Sequence, residues 1–97
     1  MAEGDLGQRS PAAEEDASAI RYARLLIAEI KLYHEDAVVE GREHADLLVR
    51  LSPEIARARR LYEERVPAEV RNRADHFGQE LIRTLANGDP RLLGQVT

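Results

Sequence analysis

Glutamate and histidine recur between Glu29 and His44 at spacings that suit a metal site: Glu29, His34, Glu35, Glu40, Glu43 and His44. Carboxylate oxygens and imidazole nitrogens together ligate divalent iron, manganese and zinc. Residues four apart lie on one helix face, so Glu40 and His44 would aim at a common ion, with Glu43 beside them and Glu29 supplied by a preceding helix. Two-metal sites in helical bundles pair a Glu from one helix with a Glu-x-x-His from another. The residue three before His44 is Gly41, which cannot ligate. The remaining pair, Glu40 and His44, spans that glycine, which weakens a regular helix. The competing reading is an acidic turn in water.

The second chemistry to weigh is phosphate binding. From Arg50 to Arg73 there are seven arginines and four glutamates, a local balance of +3. Arg57 and Arg60 share a side of a helix, but Arg59 lies about 100° from Arg60 at helical geometry. Glu63 and Glu64 stand four residues beyond Arg59 and Arg60 and would neutralise them. Nucleic-acid domains carry a clear positive excess. Residues 17–97 hold thirteen acids and thirteen bases. The net charge of −4 comes from residues 1–16, where five acids face one arginine. Residues 29–46 carry six acids against two bases, so the acidic and basic blocks complement one another along the chain. Such pairing favours one antiparallel register of neighbouring helices and adds little stability.

No thiol chemistry is available, because the 97 residues include no cysteine. No Ser/His/Asp arrangement or glycine-rich phosphate loop occurs either. Apolar residues make up 43% and charged residues 33%, the balance of a globular domain. No apolar run reaches the roughly 18 residues of a membrane span, and the polar start MAEGDLGQRS does not fit a signal peptide, so a cytoplasmic location is expected. A chain of this length buries only about 60–65% of its unfolded surface, so its margin of stability is thin.

The elements that must position these residues read as helices throughout. Residues 1–15 combine Gly, Pro, Ser and acids with few apolar side chains and predict a disordered acidic arm. Residues 16–97 predict a single all-α domain of three main helices. Helix A should start at Asp16 or Ser18 and end near His34. Glu43–Val66 forms helix B, with Leu48, Leu51, Ile55, Ala58 and Tyr62 facing inward and Leu47 flanking them. Gly41 should break the chain before it. Ser52-Pro53-Glu54 is a helix-start signature inside helix B, so that helix either kinks or divides there. Helix C should span Ala68–Ala86 on Val70, Ala74, Phe77, Leu81 and Leu85, closed by Asn87-Gly88, with a last turn after Asp89-Pro90. His34 and His76 read as boundary residues, and Tyr22, Tyr33 and Tyr62 as core-edge rings with wet hydroxyls.

Helix A is apolar on two sides. Ile20, Ala23, Ile27, Ile30 and His34 form one stripe, flanked by Tyr22, Leu26 and Tyr33, an apolar face of about 160°. Leu25, Ala28 and Leu32 form a narrower stripe on the far side, among Arg21, Arg24 and Lys31. A short chain has one core to offer, so the second stripe calls for a second copy or a partner.

The succession RYARLLIAEIKLYH, EGREH, RLYEERVP, HFGQELIR and NGDPRLLG resembles a small helical module of uncharacterised bacterial proteins, over roughly residues 17–94. That module often follows a zinc-ribbon or other regulatory domain. The resemblance implies a packing unit that travels with other domains, and Pro53 departs from its pattern. REHADLL is also similar to the EHA stretch of encapsulated ferritin-like proteins, which implies a di-iron site completed by oligomerisation through Glu29, Glu40, Glu43 and His44.

Together these features predict a non-enzymatic protein–protein interaction or dimerisation module without a cofactor, an adaptor or assembly component. Its expected interface is Tyr22, Leu25, Ala28, Leu32 and Tyr33. A ferritin-like metal protein and an Arg50–Arg73 nucleic-acid binder are the alternatives.

Overall fold

Helix α1 is the spine of the molecule. In the computed structural model, which describes residues 10–94, it runs from Pro11 to Tyr33. Its 23 residues span about 35 Å at ~1.5 Å per residue. Five further α-helices follow: α2 (Glu35–His44), α3 (Leu47–Arg50), α4 (Ser52–Arg65), α5 (Ala68–Arg73) and α6 (His76–Glu80). A π-helical turn (Leu81–Leu85) continues α6, and a 3₁₀ turn (Pro90–Leu93) closes the fold. No strand occurs among the described residues.

The first helix begins earlier than its apolar periodicity suggests. Ser10 accepts a hydrogen bond from the Ala13 N–H at 3.1 Å, and Pro11 fills the first turn, where a missing N–H costs nothing. Residues 11–15 are therefore helical rather than part of a disordered arm; residues 1–9 of the expected arm lie outside the described residues.

Expected helices B and C are each divided. Ala45 adopts a left-handed conformation (φ 53°) and ends α2, while the Asp46 N–H reaches back to the Gly41 carbonyl at 3.0 Å. That interruption resets the helical phase, so Leu47 becomes fully buried and Leu48 only partly so, the reverse of the expected order. Gly41 lies inside α2 and does not break it. A Cβ there would stand 2.6 Å from the Leu47 Cδ2, so the glycine permits close packing of α3 onto α2. The short α3 ends at Arg50 with Leu51 as its C-cap, and α4 restarts with Pro53 in its first turn. In the C-terminal third, extended backbone at Ala74 separates α5 from α6, where Asp75 accepts from the Gly78 N–H at 2.9 Å.

The core is one cluster around the inner face of α1. Ala19, Ala23, Leu26, Ile27 and Ile30 meet Ile55, Ala58 and Tyr62 from α4 on one flank. On the other they meet Phe77, Leu81 and Leu85 from α6 and the π turn. Val38, Leu47 and Leu51 fill one end of the cluster and Val66 and Val70 the other.

Candidate functional site

The outward side of α1 carries an apolar ridge that no other described residue covers. Leu25 is 56% exposed and Leu32 62%, with Ala28 exposed between them. Their spacing of three and four residues aligns them on one line about opposite the core face. Exposed single leucines are ordinary on a soluble protein; two on one ridge with a small residue between them make a contact line. Ala28 and Leu32 border a shallow groove of 410 Å³ with Arg24, Lys31, Glu35, Arg83 and Thr84. The surface is thus apolar along its crest and charged along its margin.

The other two expected interface residues lie elsewhere. Tyr22 is half-buried, with the Arg65 guanidinium 4.6 Å above its ring centroid. Tyr33 is 73% exposed and leans toward α4 rather than sitting at the core edge. With Leu26, Glu29, His34, Glu54, Arg57 and Leu61 it lines a second groove, of 280 Å³, between α1 and α4. The His34 Nε2 stands 4.0 Å from Glu54 there.

The potential metal ligands are spread apart. Glu29 lines the α1–α4 groove, whereas Glu40, Glu43 and His44 belong to α2. The Glu40 carboxylate accepts from Arg50 at 3.2 Å, and the His44 Nδ1 lies 2.9 Å from the Glu40 carbonyl. Among the described residues no three His, Asp or Glu side chains converge on a common point.

Most of the arginines between Arg50 and Arg73 are engaged within the fold. Arg50 forms a fork on Asp46 at 2.9 and 3.0 Å, which holds the Asp46 carboxyl below its usual range. Arg59 stacks 4.6 Å from the Phe77 centroid, an attraction of about 0.5–2 kcal/mol depending on desolvation. Arg71 donates to the Val66 carbonyl at 3.0 Å. Arg73 reaches across to α1, donating to Glu15, Asp16 and the Ala12 carbonyl. A guanidinium committed to a fixed partner is poorly placed to follow a phosphate backbone.

Three polar features escape any reading by spacing. The Asp16 Oδ1 accepts from His76 Nε2 at 3.2 Å, across 60 residues of sequence. The hydrogen bond from His76, with Arg73 adding to it, keeps the Asp16 carboxyl below its ordinary value. An ionised carboxylate only accepts, so Nε2 carries the hydrogen, and the buried Nδ1 has no partner among the described residues. His76 is therefore interior, not boundary.

Nearby Tyr62 is also wholly buried, its ring 5.4 Å from Phe77 and its hydroxyl without a partner among the described residues. Burial, with the negative charge of Asp75, pushes its phenol above the ordinary value. The expected wet hydroxyl is absent because α4 turns this edge of its ring onto α6.

Glu80 is buried as well, accepting from Arg24 at 3.1 Å and Thr84 at 3.3 Å. It marks the last α-helical residue before the π turn, whose wider ring leaves carbonyls needing donors. Arg42 of α2 supplies them, bonding the Leu85 carbonyl at 2.7 Å and that of Thr84 at 3.2 Å.

No helix among the described residues is long and apolar enough to cross a membrane. No protein-family model, curated protein or solved structure matches this chain.

Proposed function

We propose that the protein is a non-enzymatic helical interaction module that works as a homodimer, joined through the outer ridge of α1. The observation that carries this reading is the exposure of Leu25 and Leu32 on either side of Ala28, directly opposite a core-facing stripe that is almost fully buried. Covering the 56% and 62% of Leu25 and Leu32 that is exposed contributes about 1–2 kcal/mol each. Engagement of the arginines within the fold and dispersal of the glutamates and histidines support an assembly role over phosphate or metal chemistry.

The test is Leu25→Glu combined with Leu32→Glu. Neither side chain belongs to the core cluster, so helicity by circular dichroism should persist. Native mass spectrometry should find the wild-type chain at twice 10.9 kDa and the variant at the single mass. Unfolding of the variant would assign the leucines to the monomer core and sink the reading.

A further inference from the structure

We infer that the occupant of the α1 ridge is a second copy of this chain, packed antiparallel about a two-fold axis beside Ala28. This rests on the homodimer reading above and specifies its geometry. A two-fold interface uses one patch against itself, so the patch must be self-complementary under reversal. The ridge has that property. Arg21 stands four residues before Leu25, at the N-terminal end of the crest, and is exposed. Glu35 borders the groove beside Ala28 and Leu32 at the other end, with exposed Asp36 next to it. None of Arg21, Glu35 and Asp36 has an ion-pair partner among the described residues.

Along the ridge, from α1 across the His34 break to the first residue of α2, the order is positive, leucine, alanine, leucine, negative. Reversal about Ala28 brings Arg21 of one copy to Glu35 of the other, twice by symmetry. The same reversal sets alanine beside alanine and brings Leu25 of one copy within one residue, about 1.5 Å of rise, of Leu32 of the other. A parallel arrangement would instead face arginine with arginine and glutamate with glutamate, and like charges at a contact suppress that alternative. Ala28 at the crossing lets the helix axes approach to about 8 Å, the short end of the usual range. Arg24 and Lys31 line the margin with Glu35, and Arg24 is held by Glu80. One ridge gives a small contact, so the dimer should dissociate on dilution through the micromolar range.

The experiment compares wild type with Arg21→Glu, Glu35→Arg and the double reversal by native mass spectrometry over a concentration series. Each single reversal turns two attractions into two repulsions and should weaken dimerisation about tenfold. The double reversal should restore it to near wild type. The cysteine-free chain permits a second readout. Under mild oxidation, a mixture of Arg21→Cys and Glu35→Cys chains should yield mixed disulfide dimers. Dimers of Arg21→Cys with itself would indicate parallel packing.

A dimer that is lost in Leu25→Glu/Leu32→Glu but indifferent to the charge reversals would overturn the antiparallel inference and leave the homodimer reading standing. A wild-type chain that stays monomeric at about 100 μM, well above the dissociation range of a small interface, would overturn both and leave the ridge to a different protein.

Discussion

The two faces of α1 are built from the same residue types and meet different fates. On the inner face, Ala23 and Ile27 are completely buried and Leu26 and Ile30 nearly so. On the outer face Leu25 and Leu32 keep more than half of their surface. The inner stripe is broad enough to be gripped from two sides, by α4 and by α6 with the π turn. The outer stripe is a single line, and the remaining helices are already committed elsewhere. Burial is thus set by how many elements reach a face, not by how apolar that face is. A helix with a satisfied side and an unsatisfied one separates folding from assembly, and substitutions on the two sides should separate the same way.

The largest contrast is expected between Ile27→Ala and Leu32→Ala. Removing three carbons from a closed core should cost about 2–5 kcal/mol in urea unfolding of the monomer, a large fraction of a small domain's stability. The same kind of truncation on the outer ridge should change monomer stability by under about 0.5 kcal/mol while weakening the proposed dimer. Equal losses of monomer stability at the two positions would erase the distinction.

A smaller effect sharpens the contrast at a site where the chain packs more tightly than a Cβ allows. Gly41→Ala gains up to about 1 kcal/mol of helix propensity. It also drives a methyl group into fully buried Leu47, to 2.6 Å from its Cδ2 and 3.3 Å from its Cα. Overpacking of this kind costs about 1–3 kcal/mol, so the net change should be destabilising by roughly 1 kcal/mol in the same unfolding assay. A more stable Gly41→Ala chain would mean that α3 is not pressed onto α2.

The smallest effect concerns the polar end of the inner face, where α1 is tied to α5 and α6 through Asp16, Arg73 and His76. The Asp16 carboxyl is more acidic folded than unfolded. Its contribution is therefore present in full above the ordinary carboxylate range and lost as pH falls through the folded value. Between about pH 4 and pH 3, thermal melting of the wild type should fall more steeply than that of Asp16→Asn. Parallel curves would show that the contact adds nothing. Leu32 carries no charge, so Leu32→Ala should leave this slope unchanged.

Much of the fold is legible as pattern. The inward positions Ala23, Ile27, Ile30, Ile55, Ala58, Tyr62, Val70, Phe77, Leu81 and Leu85 follow from period alone, because a helix repeats its faces every three to four residues. The second stripe of Leu25, Ala28 and Leu32 is legible for the same reason. The breaks are harder to read. Ala45 ends α2 in a left-handed conformation that favours glycine, and the expected breaker, Gly41, instead makes room for Leu47. Neither role follows from a local preference, since each is imposed by the packing of α3.

The sequence by itself determined that this protein is helical, that one face of its first helix is too apolar to leave in water, and that its charges divide into acidic and basic blocks. These properties are sums over neighbouring residues, and local periodicity carries them. Only the tertiary structure decided that Arg24, Arg42, Arg59, Arg65 and Arg73 serve as internal ties. Only it decided that Asp16 meets His76 and that Glu80 is buried at the start of a π turn. Those contacts join residues tens of positions apart, and their partners are chosen by which helices the core brings side by side.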